Sequence, residues 1–102
     1  MTASSADPVR CSNGPLPASF QARAYFTANR DEFALGPGDA LEYLNWCDQE
    51  GLTVLGFDTW EPSQPGPTVV NGGEFEGDAS ACREKIRSGD FQKLVLNIWV
   101  QG

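Results

Sequence analysis

The sequence predicts a single α+β domain, a mixed sheet of about four strands with two helices packed on it. Three observations carry that expectation. The stretch "GPGDALEYLNWCDQEG" (Gly36 to Gly51) has helix punctuation at both ends and an apolar stripe between them. Two segments, "LTVLGF" and "KLVLNIWV", place apolar residues on both faces of an extended chain, as interior strands do. The length of 102 residues, with 40% apolar content, supports one modest core and no second.

Taken in order, residues 1–19 ("MTASSADPVRCSNGPLPAS") read as a loosely held arm, because Ser, Pro, Gly and Asn dominate them. The globular domain is expected over 20–102. From Phe20 to Ala28 the even positions Phe20, Ala22, Ala24, Phe26 and Ala28 are apolar, the alternation of a half-buried strand. Phe20, Ala24 and Ala28 also fit a helical spacing. In the next segment Gly36 and Pro37 suit a helix cap and first turn. Asp39 suits the positive N-terminal end, and Gly51 a left-handed stop. Ala40, Leu41, Leu44 and Cys47 form its buried stripe, with Tyr43 and Trp46 at the edge of that stripe.

"LTVLGF" then reads as a central strand and "EPSQPGP" as a surface loop. "PTVVNGGEFEG" has the Asn71-Gly72 pair of a hairpin turn. Asp78 can cap a helix over "ASACREKIRS", closed by Gly89. In the last strand Leu94, Leu96, Ile98 and Val100 share one face, and Val95 and Trp99 the other. The helix before it could serve as a crossover that sets this strand parallel to a neighbour.

The charge layout bears on function. Net charge is −7, and from Asp31 to Cys82 a run of 52 residues holds no Lys or Arg. Eleven of the fourteen acids lie in that run, while the basic residues occupy its flanks. Such a half repels phosphate, so nucleic acid and anionic membrane are not expected partners. A basic protein would be attracted and its encounter accelerated. A solvated acidic surface kept for solubility is the plainer account of the same layout.

Other chemistry is poorly supplied. There is no histidine, which removes Ser-His and Cys-His nucleophile pairs and the usual zinc hydrolase ligands. Cys11, Cys47 and Cys82 form no CxxC pair, so neither a disulfide framework nor a zinc site is indicated. No glycine-rich phosphate loop is present, and "GGEFEGD" lacks the spacing of a calcium loop. Paired carboxylates alone remain for catalysis, and a domain this small rarely encloses the cleft they need. No catalytic residue, metal or cofactor is expected. No apolar run reaches the roughly 20 residues of a membrane span, and the N-terminus lacks a signal-peptide core, so the expected location is the cytoplasm.

Two constellations stand out as contact surfaces. Asp58, Trp60 and Glu61 leave the central strand together, a rigid apolar ring beside two acids. Glu74, Glu76 and Asp78 alternate around Phe75, either as an acidic knob or as the charged guard of a sheet edge. Asp48 and Glu50, at the negative end of the first helix, join them with Tyr43 and Trp46 as the expected partner-binding set. "CREKIR" is the one basic cluster and is expected to pair with the protein's own acids.

The run "FALGPGDALEYLNWCDQEGLTVLGFDTWEP" resembles small immunity proteins of bacterial polymorphic toxin systems. The likeness covers Phe33 to Trp60: a turn, "DAL" opening a helix, then Gly, a short apolar segment, "LGFD" and an aromatic. It implies a cytoplasmic protein that neutralises a cognate toxin domain by binding it, with Asp58 and Trp60 at the matching positions. The expected partner is thus a toxin effector domain with a basic active-site face. An acidic phage- or plasmid-encoded inhibitor that imitates the charge of DNA before a host defence protein is the other binding role these residues allow. A small carboxylate enzyme is the third.

Overall fold

The computed structural model describes residues 9–27, 30–61, 68–69 and 74–101. Its elements are β1 (Val9–Cys11), β2 (Gly14–Leu16), α1 (Ala18–Gln21), β3 (Tyr25–Phe26), β4 (Phe33–Ala34) and α2 (Pro37–Gln49). They continue as β5 (Thr53–Glu61), β6 (Thr68–Val69), β7 (Phe75–Glu76), α3 (Ala79–Ser88) and β8 (Val95–Gln101). The composition is α+β, but among the described residues three helices and three sheets replace the single sheet and two helices expected. Every described pairing is antiparallel, so the sheet is not mixed and α3 makes no parallel crossover.

β5 is central, as its apolar pattern predicts. One of its edges is zipped to β8 from Thr53↔Gln101 to Trp60↔Val95. Trp60 pairs also with Val69 of β6, and Phe57 with Phe75 of β7, so both short strands lie along the other edge. They run in one direction, and among the described residues they do not pair with each other. The expected hairpin is therefore absent between them, and its Asn71-Gly72 turn lies outside the described residues. The loop at 62–67 lies outside them too.

A bulge between Val54 and Gly56 sets which residues face inward. With Leu55 as the extra residue, Val54, Phe57 and Thr59 are all buried, although strict alternation would put position 54 opposite 57 and 59. Gly56 has φ +154, and a Cβ there would collide with the carbonyl oxygen of Phe75. The close approach of β7 thus demands glycine.

The far edge of β8 is covered by the N-terminal half of the chain. Leu35 exchanges both backbone hydrogen bonds with Leu96, at 2.9 and 2.6 Å, and Val100 N–H donates to Asn13 O at 2.8 Å. The fully buried Asn13 side chain donates through Nδ2 to the carbonyls of Phe33 and Ile98 and accepts from Phe33 N–H. The expectation of a loose arm up to Ser19 is corrected for residues 9–19. Asn13 through Pro17 are buried, and Leu16 sits in the core. Residues 1–8 lie outside the described part. Composition misled there because prolines and glycines in a tight hairpin read like those of a linker.

The strand expected from Phe20 to Ala28 is also corrected. Pro17 caps the short α1, whose Phe20 turns into the core, and among the described residues of that stretch only Tyr25–Phe26 form a strand, Ala28 lying outside them. α2 follows the sequence closely: Gly36 is its cap, Pro37 its first residue, and Gly51 takes φ +70 just beyond it. Ala40, Tyr43, Leu44 and Cys47 are its buried residues, with Leu41 half-buried. α3 begins as expected, with Asp78 Oδ1 accepting from Ala81 N–H at 2.9 Å, and ends at Gly89. The main core lies between these two helices and one face of the sheet, and a smaller cluster of Ala34, Trp60 and Val95 lies apart from it. Among the described residues no helix is long and apolar enough to cross a membrane.

Candidate functional site

The bulge and the registers of β5 decide what the sheet shows on its outer face. Gly56 pairs with Trp99 on one side and with Glu76 on the other, and Asp58 pairs with Asn97. Around these rows opens a groove of about 510 Å³, lined by Leu55, Asp58, Glu74, Glu76 and Trp99 together with Gly56, Phe57 and Phe75. Three expected site residues, Asp58, Glu74 and Glu76, thus meet in one place although 16 to 18 residues separate Asp58 from the other two. Among the described residues that line the groove there is no Lys or Arg. Lys85 lies near, but with its Nζ 5.8 Å from the ring centre of Phe75, which packs on Phe57 of the core.

Trp99 is held by a relay of hydrogen bonds. Its Nε1 donates to Asn97 Oδ1 at 2.6 Å, and the fully buried Asn97 donates through Nδ2 to Phe33 O at 2.7 Å. A buried amide with satisfied partners fixes the indole above it. The neighbourhood of Asp58 is also negative. Partial burial, and after it the charges of Asp31 and Asp58, hold the Glu32 carboxyl above its ordinary range.

The remaining expected contact residues fall elsewhere. Tyr43 is fully buried, and its hydroxyl donates to Pro15 O at 2.6 Å. Trp60 is only 3% exposed. Both were expected to present aromatic surface, and neither does. Tyr43 turns inward because the β1–β2 hairpin closes over α2. Trp60 is enclosed because β5 has neighbours on both edges there and Ala34 and Val95 pack beside it. Its indole N–H has no hydrogen-bond partner among the described residues.

Trp46 is half-buried against Tyr43, ring centres 5.6 Å apart. Asp48 is ion-paired with Arg83 at 2.7 Å, as expected of the basic cluster, and Asp78 is the cap of α3. These two acids border a second, smaller depression of about 380 Å³ but are already engaged in it. Glu50 and Glu61 are exposed at the ends of α2 and β5, away from the groove.

Sequence reasoning missed Trp99, Leu55 and Gly56. A glycine inside an apolar strand was the available signal, since it marks a bulge or a close backbone approach. What it faces depends on a register between residues more than 40 apart in sequence. Chemically, an open groove of carboxylates beside a fixed indole suits a cation. Among the described residues no group of three or more Cys, Asp or Glu is placed to hold a metal ion. No protein-family model matches the chain, and no curated protein or solved structure matches it either.

Proposed function

We propose that this chain is an immunity protein, acting in the cytoplasm to bind and neutralise a cognate toxin domain through the acidic outer face of the β5–β8 sheet. The observation that carries the reading is the gathering of Asp58, Glu74 and Glu76 around Trp99 in a groove with no basic residue among the described residues that line it. A toxin that acts on an anionic substrate, such as a nuclease or an NAD-consuming transferase, must expose Lys or Arg at its active site. That is the surface this face complements. The resemblance of Phe33 to Trp60 to immunity proteins supports the same role. Rim carboxylates would speed association, and the half-buried Trp99 would supply apolar contact that slows dissociation.

The test is paired expression with the neighbouring gene immediately upstream. Each gene is induced alone and together, growth is followed, and the lysate is passed over a sizing column. Lethality of the neighbour alone, rescue together and one co-eluting complex are the expected results. A harmless neighbour, or rescue without co-elution, rejects direct immunity and favours the acidic inhibitor of a defence protein. The association rate of the complex should also fall steeply between low and high salt.

A further inference from the structure

The groove has an order that a generic acidic surface lacks. Across three adjacent strands, β7, β5 and β8, the residues in register are Glu76, Gly56 and Trp99. No side chain rises between the carboxylate and the indole, because the central position is glycine. With neighbouring strands about 4.8 Å apart, the two outer backbones stand roughly 10 Å from each other. Asp58, two residues beyond Gly56, and Glu74, two before Glu76, bring further carboxylates to one end of this gap, and all four side chains line one groove. Leu55, displaced by the bulge and 48% exposed, adds an apolar wall.

We propose that the gap over Gly56 is a socket for one arginine side chain of the basic partner, the guanidinium stacked on Trp99 and bonded to Glu76 with Asp58 or Glu74. The inference rests on the reading of the protein as a binder of a basic partner, and names the group that is bound. A planar guanidinium makes van der Waals contact with an indole at about 3.5–4 Å and charge-assisted hydrogen bonds to carboxylates at about 2.8 Å. Both fit within the gap. Its methylene stem can lie on Leu55. Lysine suits the site less well, since its ammonium is more strongly hydrated, cannot stack, and is a point charge where several carboxylates converge from different directions. The platform is set in advance: the Phe33–Asn97–Trp99 hydrogen bonds fix the indole, and Gly56 cannot be replaced without collision with Phe75. Holding the site open in this way removes part of the ordering cost of binding.

The experiment uses the full chain and three capped tripeptides, Gly-Arg-Gly, Gly-Lys-Gly and Gly-citrulline-Gly, the last a neutral analogue of arginine. The indole N–H resonances of Trp46, Trp60 and Trp99 are followed by NMR, with Trp99 assigned through Trp99→Phe. The expected result is a saturable shift of the Trp99 resonance with the arginine peptide, about tenfold weaker with lysine and lost with citrulline. Glu76→Gln should weaken the arginine response by about tenfold, while Glu84→Gln on α3 leaves it unchanged. No Trp99 shift, equal response to lysine and arginine, or an unaltered response in Glu76→Gln overturns the socket. Rescue of growth by the paired-expression test reports separately on immunity. Rescue with no Trp99 response removes the socket alone, and a Trp99 response without rescue removes the immunity role alone.

Discussion

Replacing Tyr43 by Phe tests whether this residue belongs to the core or to a contact surface. The ring has edge-on contacts with Phe20 and Phe33, centroids 5.6 and 5.4 Å away, and a tilted contact with Trp46, all of which phenylalanine keeps. Only the hydroxyl is lost, and with it the 2.6 Å hydrogen bond to the carbonyl of the buried Pro15. The net worth of such a bond is about 1 kcal/mol, and leaving a buried carbonyl unpaired adds about as much again, for a total of about 2 kcal/mol. For a domain of this size that lowers Tm by about 10 °C. Urea unfolding followed by fluorescence and circular dichroism should show a lower midpoint with an unchanged slope. A loss below about 0.5 kcal/mol would refute the reasoning, since it would mean that water reaches Pro15 and the hairpin does not seal α2. Partner binding lost at undiminished stability would return Tyr43 to the surface.

Gly56→Ala should destabilise the fold by about 2–3 kcal/mol, because φ of +154 is strained for any L side chain and the new methyl meets the Phe75 carbonyl; a variant of unaltered urea midpoint would show that the bulge is not required. Asp78→Ala should cost about 1 kcal/mol through loss of the cap on Ala81 N–H, whereas Asp78→Asn should cost little, both read by thermal unfolding. Burial pushes the Cys47 thiol up to about 12, in spite of the neighbouring Tyr43 hydroxyl, which lowers it, and burial likewise raises Cys82 to about 11, each from an ordinary value of 9.0. Above pH 9 the unfolded chain loses these protons and the folded chain keeps them, so stability should decline as pH rises from 9 toward 11. A double Cys47→Ala, Cys82→Ala variant with an undiminished decline would assign the effect to other groups.

How much of this protein could be read from its sequence depends on the range over which each feature is decided. α2 and α3 were legible almost to the residue, because a cap, an apolar stripe and a terminal glycine all lie within one short window and act through local hydrogen bonds. The centrality of β5 and β8 was legible for a similar reason: apolar side chains on both faces leave a strand no solvated side. The acidic character of the middle of the chain needed only counting. The N-terminal hairpin was not legible. Asn13 has the composition of a loop, and only the carbonyls of Phe33 and Ile98, 20 and 85 residues away, make it a buried clasp. The same holds for the candidate site. That Asp58, Glu74 and Glu76 are acidic was plain, but that they surround Trp99 follows from two strand registers and one bulge. Inserting Leu55 into β5 reverses which side of the strand each following residue faces. That reversal takes Phe57 inward and leaves Asp58 at the groove, while Trp60, on the side of Asp58, is buried only because Ala34 and Val95 pack against it. Residue chemistry set the kind of surface this chain carries, and non-local backbone pairing, with a side-chain period of two, decided which residues form it.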